Sequence, residues 1–122
     1  MTRAPFALLV AAFLAAIAPS PAVAHAQLDR AAPPVGATVK SPPQEISLIF
    51  SERVVPGLSS IRLSGLAGPL DTGPIVGDSA DRRRLILHLP HLLAPGRYRV
   101  RWTAVSVDGH RTEGDFTFSV DR

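Results

Sequence analysis

The sequence predicts an all-β fold: a small Greek-key β-sandwich of immunoglobulin-like type, or a flattened barrel, with about seven strands. Three observations carry this expectation. After residue 25, several short stretches alternate apolar and polar side chains, the period-two pattern of half-buried strands. Turn formers separate them: Pro33-Pro34, Gly36, Pro42-Pro43, Pro56-Gly57, Gly68-Pro69, Gly73-Pro74, Gly77 and Pro95-Gly96. No stretch in this region sustains the 3.6-residue period of an amphipathic helix.

Each strand has its own justification. A first strand falls within residues 27–32. In "EISLIFSE" (45–52), Ile46, Leu48 and Phe50 share a face. In "SIRLSG" (60–65), Ile61 and Leu63 do so, and a weak strand is expected around 70–76. In "RRLILHLP" (83–90), Leu85, Leu87 and Leu89 face together. The clearest case is "RYRVRWTA" (97–104): Tyr98, Val100 and Trp102 point one way, Arg97, Arg99 and Arg101 the other. In "GDFTFSVD" (114–121), Phe116, Phe118 and Val120 form the apolar face. The inward residues make a mostly aliphatic core with Trp102 expected at its centre. The outward arginines read as a solvated sheet face, and Arg82-Arg83-Arg84 as a loop cluster.

The chain opens as an exported protein does. Arg3 is followed by an unbroken apolar run from Phe6 to Ala18, then Pro19, Ser20, Pro21 and small residues. This is the layout of a secretory signal peptide, residues 1–24. The run is too short to span a bilayer, which takes about 20 apolar residues. Removing 24 of the 122 residues leaves 98, one domain at 25–122, with no stable membrane insertion expected. Loss of Arg3 takes the basic residues from 13 to 12 against 10 acidic ones. So small an excess, with no aromatic residues interleaved on the basic face, does not point to nucleic acid. There is no cysteine, which excludes disulfides, thiolate metal ligands and a thiol nucleophile. No Ser-His pairing or Gly-rich phosphate loop suggests an enzyme.

Two signal-peptidase cuts fit "PAVAHAQLDR" (21–30). One follows Ala22-Val23-Ala24 and makes His25 the first residue. The other follows Ala24-His25-Ala26 and discards it. The residues alone leave the choice open. It matters because seven alternating strands bring the amino terminus, Glu52 and the "SVDGH" loop (106–110) to one end of the fold. His25, Glu52, Asp108 and His110 are therefore candidate metal ligands. Imidazole, amine and carboxylate suit Cu(II), Zn and Ni, with Cu(II) highest in the affinity order. A terminal histidine chelates through ring and amine together, and an amine with a pKa of about 7.7–8.0 loses its proton cheaply. The plainer readings are a hairpin turn at Asp108-Gly109 and surface positions for Glu52 and His110. His88 and His91 read as surface residues.

The same residues resemble the CopC-type family of periplasmic copper-binding (copper resistance) proteins. The matching pieces are "HAQLDRAAPPVGATV" at the start, "PPQEISLIFSE" at 42–52 and "LPHLLAPGRYRVRWTAVSVDGHRTEGDFTFSV" at 89–120. The resemblance implies cleavage that exposes His25. It also implies one Cu(II) per chain, held by His25 through amine and imidazole together with Asp108 and His110; Glu52 is a weaker candidate. It implies a periplasmic protein in copper resistance, sequestration or delivery, with a membrane copper transporter as an expected partner; with one site per chain, monomer is the default state. One departure stands out. The second, Cu(I) site of many members uses a methionine-rich loop, whereas the one methionine here is Met1. Thioether is the soft donor that selects Cu(I), so the chain is similar to a single-site, Cu(II)-only form. The competing functions are a metal-free immunoglobulin-like interaction module and a copper histidine-brace oxidative enzyme. The enzyme needs a glycan-gripping surface, yet Tyr98 and Trp102 are expected to point inward.

Overall fold

The computed structural model describes residues 25–122, so the expected signal peptide lies outside the described residues. The strands are β1 (Leu28–Ala32), β2 (Thr38–Val39), β3 (Glu45–Phe50), β4 (Ser60–Gly65), β5 (Gly68–Pro69), β6 (Ile75–Asp78), β7 (Asp81–His88), β8 (Gly96–Val105) and β9 (Arg111–Val120). They form two sheets, ordered β1-β3-β7-β6 and β2-β9-β8-β4-β5. The expected sandwich is therefore observed, rather than a closed barrel. Among the described residues no helix is long and apolar enough to cross a membrane.

Nine strands replace the expected seven because two are only two residues long, too short to show an alternating pattern. β2 runs parallel to β9, pairing Thr38 with Ser119 and Val39 with Val120. The chain thus leaves β1 in one sheet and, past Pro33-Pro34 and Gly36, joins the other. β5 folds back on β4 at Gly65–Gly68. The weak strand expected at 70–76 lies further on, at Ile75–Asp78, where it pairs with β7.

Alternation in sequence becomes burial in space. Ile46, Leu48, Phe50, Leu85, Leu87, Val100 and Phe118 are sealed from solvent. Tyr98 and Phe118 are cross-strand partners and stack with centroids 5.6 Å apart. Trp102 is buried as expected but is not the centre. It lies nearer the end where β8 gives way to residues 106–110, with its ring edge-on to Phe50 at 5.1 Å. Gly114 is its direct partner on β9. A Cβ at Gly114 would stand 2.6 Å from the indole, so this glycine makes room for the ring.

Arg97, Arg99 and Arg101 are exposed on the outer face of β8, and Arg99 pairs with Asp115 at 3.4 Å. Arg82, Arg83 and Arg84 do not occupy a loop; they open β7. Arg84 reaches across the outer face, donating from Nε to the buried Ser47 hydroxyl at 2.7 Å and facing Asp78 at 3.6 Å. A guanidinium on a strand satisfies a buried hydroxyl here, which a count of charges does not foresee.

Candidate metal centre

Antiparallel pairing decides which chain segments meet. β1 begins where β3 ends, since Leu28 pairs with Phe50. β8 ends where β9 begins, since Val105 pairs with Arg111. The segment after β3 then bonds to the end of β8: Val55 N–H donates to Val105 O at 2.8 Å and Val107 N–H to Arg53 O at 3.1 Å. Residues 25–27, residues 51–55 and the 106–110 turn therefore share one end of the sandwich. His88 pairs with Glu45 at the other end of β3, so neither it nor the nearby His91 belongs to this centre; both are exposed.

The 106–110 turn is tightly closed. Gly109 has φ of +92°, a conformation L side chains rarely adopt. Its N–H donates to Ser106 O at 2.9 Å, and Ser106 N–H donates to His110 O at 2.9 Å. Inside this turn Asp108 is held on both oxygens. Oδ1 accepts from the Ser106 hydroxyl and, at 3.3 Å, from the His110 N–H. Oδ2 lies 3.1 Å from His110 Nδ1. With Nδ1 turned to the carboxylate, Nε2 is the nitrogen left to present a lone pair.

These bonds hold Asp108 well below the usual carboxylate range, down to about 2 from 3.8, the Ser106 hydroxyl contributing most and His110 next. The direction fixes the linkage. Stability from the ionised Asp108 is fully present above about 3.8 and is lost as pH falls toward about 2. Ser106→Ala removes the leading cause, so the Asp108 carboxyl should titrate closer to 3.8 in carbon-detected NMR. An unmoved midpoint would show that Ser106 does not hold the carboxylate.

The structure brings His25 to this turn from the opposite end of the chain. Its ring centroid is 4.9 Å from that of His110, with the planes tilted by 56°. That separation lets two ring nitrogens reach one ion with bonds of about 2.0–2.1 Å. Both rings are exposed, so an ion has a path in. Glu52 sits at the same end and is half-buried. Among the described residues no hydrogen bond or ion pair joins it to His25, Asp108 or His110. Nor do three His, Asp or Glu side chains there gather into a ready metal cage.

Three hydroxyls at this end are not among the residues singled out from sequence. Ser106 is fully buried under Asp108. Ser51 Oγ accepts from Gln27 N–H at 2.9 Å, and Thr112 Oγ1 donates to Ala26 O at 2.7 Å. Ser106 carries a local signal, since a Ser two residues before an Asp-Gly turn is well placed to bond the Asp. Ser51 and Thr112 carry none, because their partners are far off in sequence.

A family model described as the CopC domain matches residues 28–121. The chain belongs to the CopC family. The match begins just after His25, so it covers the strands and the 106–110 turn but not His25 itself. Protein YobA of Escherichia coli strain K12 is 43% identical over 98 residues, spanning 80% of this chain and 79% of that protein. The crystal structure of CopC from Methylosinus trichosporium OB3b superposes with a TM-score of 0.74 at 35% identity, covering 80% of this chain and 94% of that one. PcoC of Escherichia coli, described as a methionine-rich copper resistance protein, gives a TM-score of 0.72 at 30% identity, covering 80% and 100%.

Proposed function

We propose that this CopC-family chain is an exported, periplasmic copper-binding protein that holds one Cu(II) for resistance, sequestration or delivery. The observation that carries the reading is the approach of the His25 and His110 rings to 4.9 Å. Cleavage after Ala24 adds the missing donor: it turns the His25 peptide nitrogen into an amine beside the His25 ring. Amine, two imidazoles and the remaining lone pair of Asp108 make a nitrogen-rich tetragonal set, the preference of Cu(II). Two imidazoles and one carboxylate are three donors, and the free amine is the fourth that a tetragonal Cu(II) set calls for. The cut after Ala24 is thus part of the proposed site.

His25 supplies a chelating pair, Asp108 orients His110, and Glu52 stands by as a weaker ligand. The copper is cargo, and the role is binding rather than catalysis. PcoC is described as methionine-rich, whereas this chain has one methionine, Met1, and no cysteine. The proposed site is accordingly a Cu(II) site without a soft-donor Cu(I) partner in the same chain. Monomer is the proposed state, with a membrane copper transporter as the partner.

Intact mass of the exported protein with and without Cu(II) tests this directly. The expected species begins at His25 and gains one copper. A chain starting at Gln27, or one gaining no copper, overturns the reading.

A further inference from the structure

Residues 25–27 precede the first strand, yet the fold grips them closely. Ala26 is 1% exposed, its methyl set in the hydrophobic core. Its carbonyl accepts from Thr112 Oγ1 at 2.7 Å. Gln27 N–H donates to Ser51 Oγ at 2.9 Å, and Gln27 O accepts from Ser51 N–H at 2.8 Å. The Ser51 hydroxyl in turn reaches His25 O at 3.4 Å. Chain termini are ordinarily frayed. Here three residues that precede the first strand engage two hydroxyls from separate strand ends.

The placement of these hydroxyls ties them to the metal centre. Thr112 lies two residues after His110, on the strand that leaves the turn. Ser51 follows β3 directly and adjoins Glu52. Each bonds to backbone of the segment that begins with His25.

We propose that the Thr112 and Ser51 hydroxyls, with the buried Ala26, form a latch that holds residues 25–27 in the copper-binding conformation before copper arrives. This rests on the proposed function for its consequence but not for its existence. Ordering one residue of free chain costs roughly tenfold in an equilibrium constant. A terminus already ordered by the fold does not charge that cost to the metal. Thr112 and Ser51 are thus positioning residues: they act through where they hold His25. The latch also accounts for a small residue after the histidine, since a larger side chain would not fit the sealed site of Ala26.

The test compares Thr112→Val, which keeps the shape and removes the hydroxyl, with Thr112→Ser, which keeps the hydroxyl, and Ser51→Ala. Amide exchange of Gln27 in the copper-free protein should speed up at least about tenfold in Thr112→Val and Ser51→Ala, with β8 and β9 unchanged. Cu(II) affinity should fall about tenfold in each, with an unchanged electron paramagnetic resonance spectrum because the ligands are the same. Thr112→Ser should restore both. Unchanged exchange in Thr112→Val overturns the latch. Faster exchange with unchanged affinity overturns its role in binding. A parent protein that binds no copper would instead sink the proposed function, and the exchange comparison would still decide the latch.

Discussion

His25→Ala is expected to weaken Cu(II) binding at least about a hundredfold, roughly 2.7 kcal/mol, while leaving the fold intact. The side chain is exposed and lies outside the core, so its loss removes little packing. Ala26 stays buried and its carbonyl keeps the Thr112 bond. On the proposed function, what disappears is one arm of a chelate whose two donors sit on a single residue and so act at high effective concentration. A complementary change isolates the other arm. An extra alanine before His25 keeps the ring and converts the amine to a peptide nitrogen; a loss of similar size is expected. Competition titration with a calibrated chelator reads both. If either variant binds as tightly as the parent, the histidine chelate is not the site.

The second large effect lies in the core. Trp102→Ala is expected to cost about 3–5 kcal/mol, read from urea unfolding. The ring packs edge-on against Phe50 at 5.1 Å and lies over Gly114, so truncation opens a cavity between the sheets. A domain of this size typically has about 5–15 kcal/mol to lose, and the melting temperature should drop by roughly 15–30 °C. Gly114→Val approaches the same space from the other strand. Its Cβ would stand 2.6 Å from the indole, so it should destabilise by about 1–3 kcal/mol through overpacking. Combined with Trp102→Ala, however, the valine fills part of the vacated volume. The double variant should therefore be more stable than the sum of the two losses predicts. Strict additivity would mean that the two residues do not share that space.

Much of the fold was legible because strand alternation is local. "RYRVRWTA" became a strand with Tyr98, Val100 and Trp102 buried and its arginines exposed, as its period of two requires. The two-residue strands β2 and β5 were not legible, since two residues carry no period. Nor was the off-centre position of Trp102, which depends on Phe50 and Gly114 coming from other strands. Arg82–Arg84 looked like a charged loop because charge is no guide to pairing; Arg84 is on β7, bound to Ser47 of β3. The candidate ligands His25, Asp108 and His110 stood out by residue type, by their place at chain start and turn, and by family resemblance.

The sequence by itself determined the all-β class, the buried face of each long strand and the short list of candidate metal ligands. These follow from alternation, turn chemistry and donor chemistry, which are read within a few residues. Only the tertiary structure decided that the His25 and His110 rings meet at 4.9 Å, that Asp108 turns His110 by its Nδ1, and that Thr112 and Ser51 bond to Ala26 and Gln27. Apart from the Asp108–His110 bond inside its turn, these contacts join segments far apart in the chain. Their geometry is set by the pairing of β1 with β3 and of β8 with β9, and no local pattern encodes the distance between the ends of two sheets.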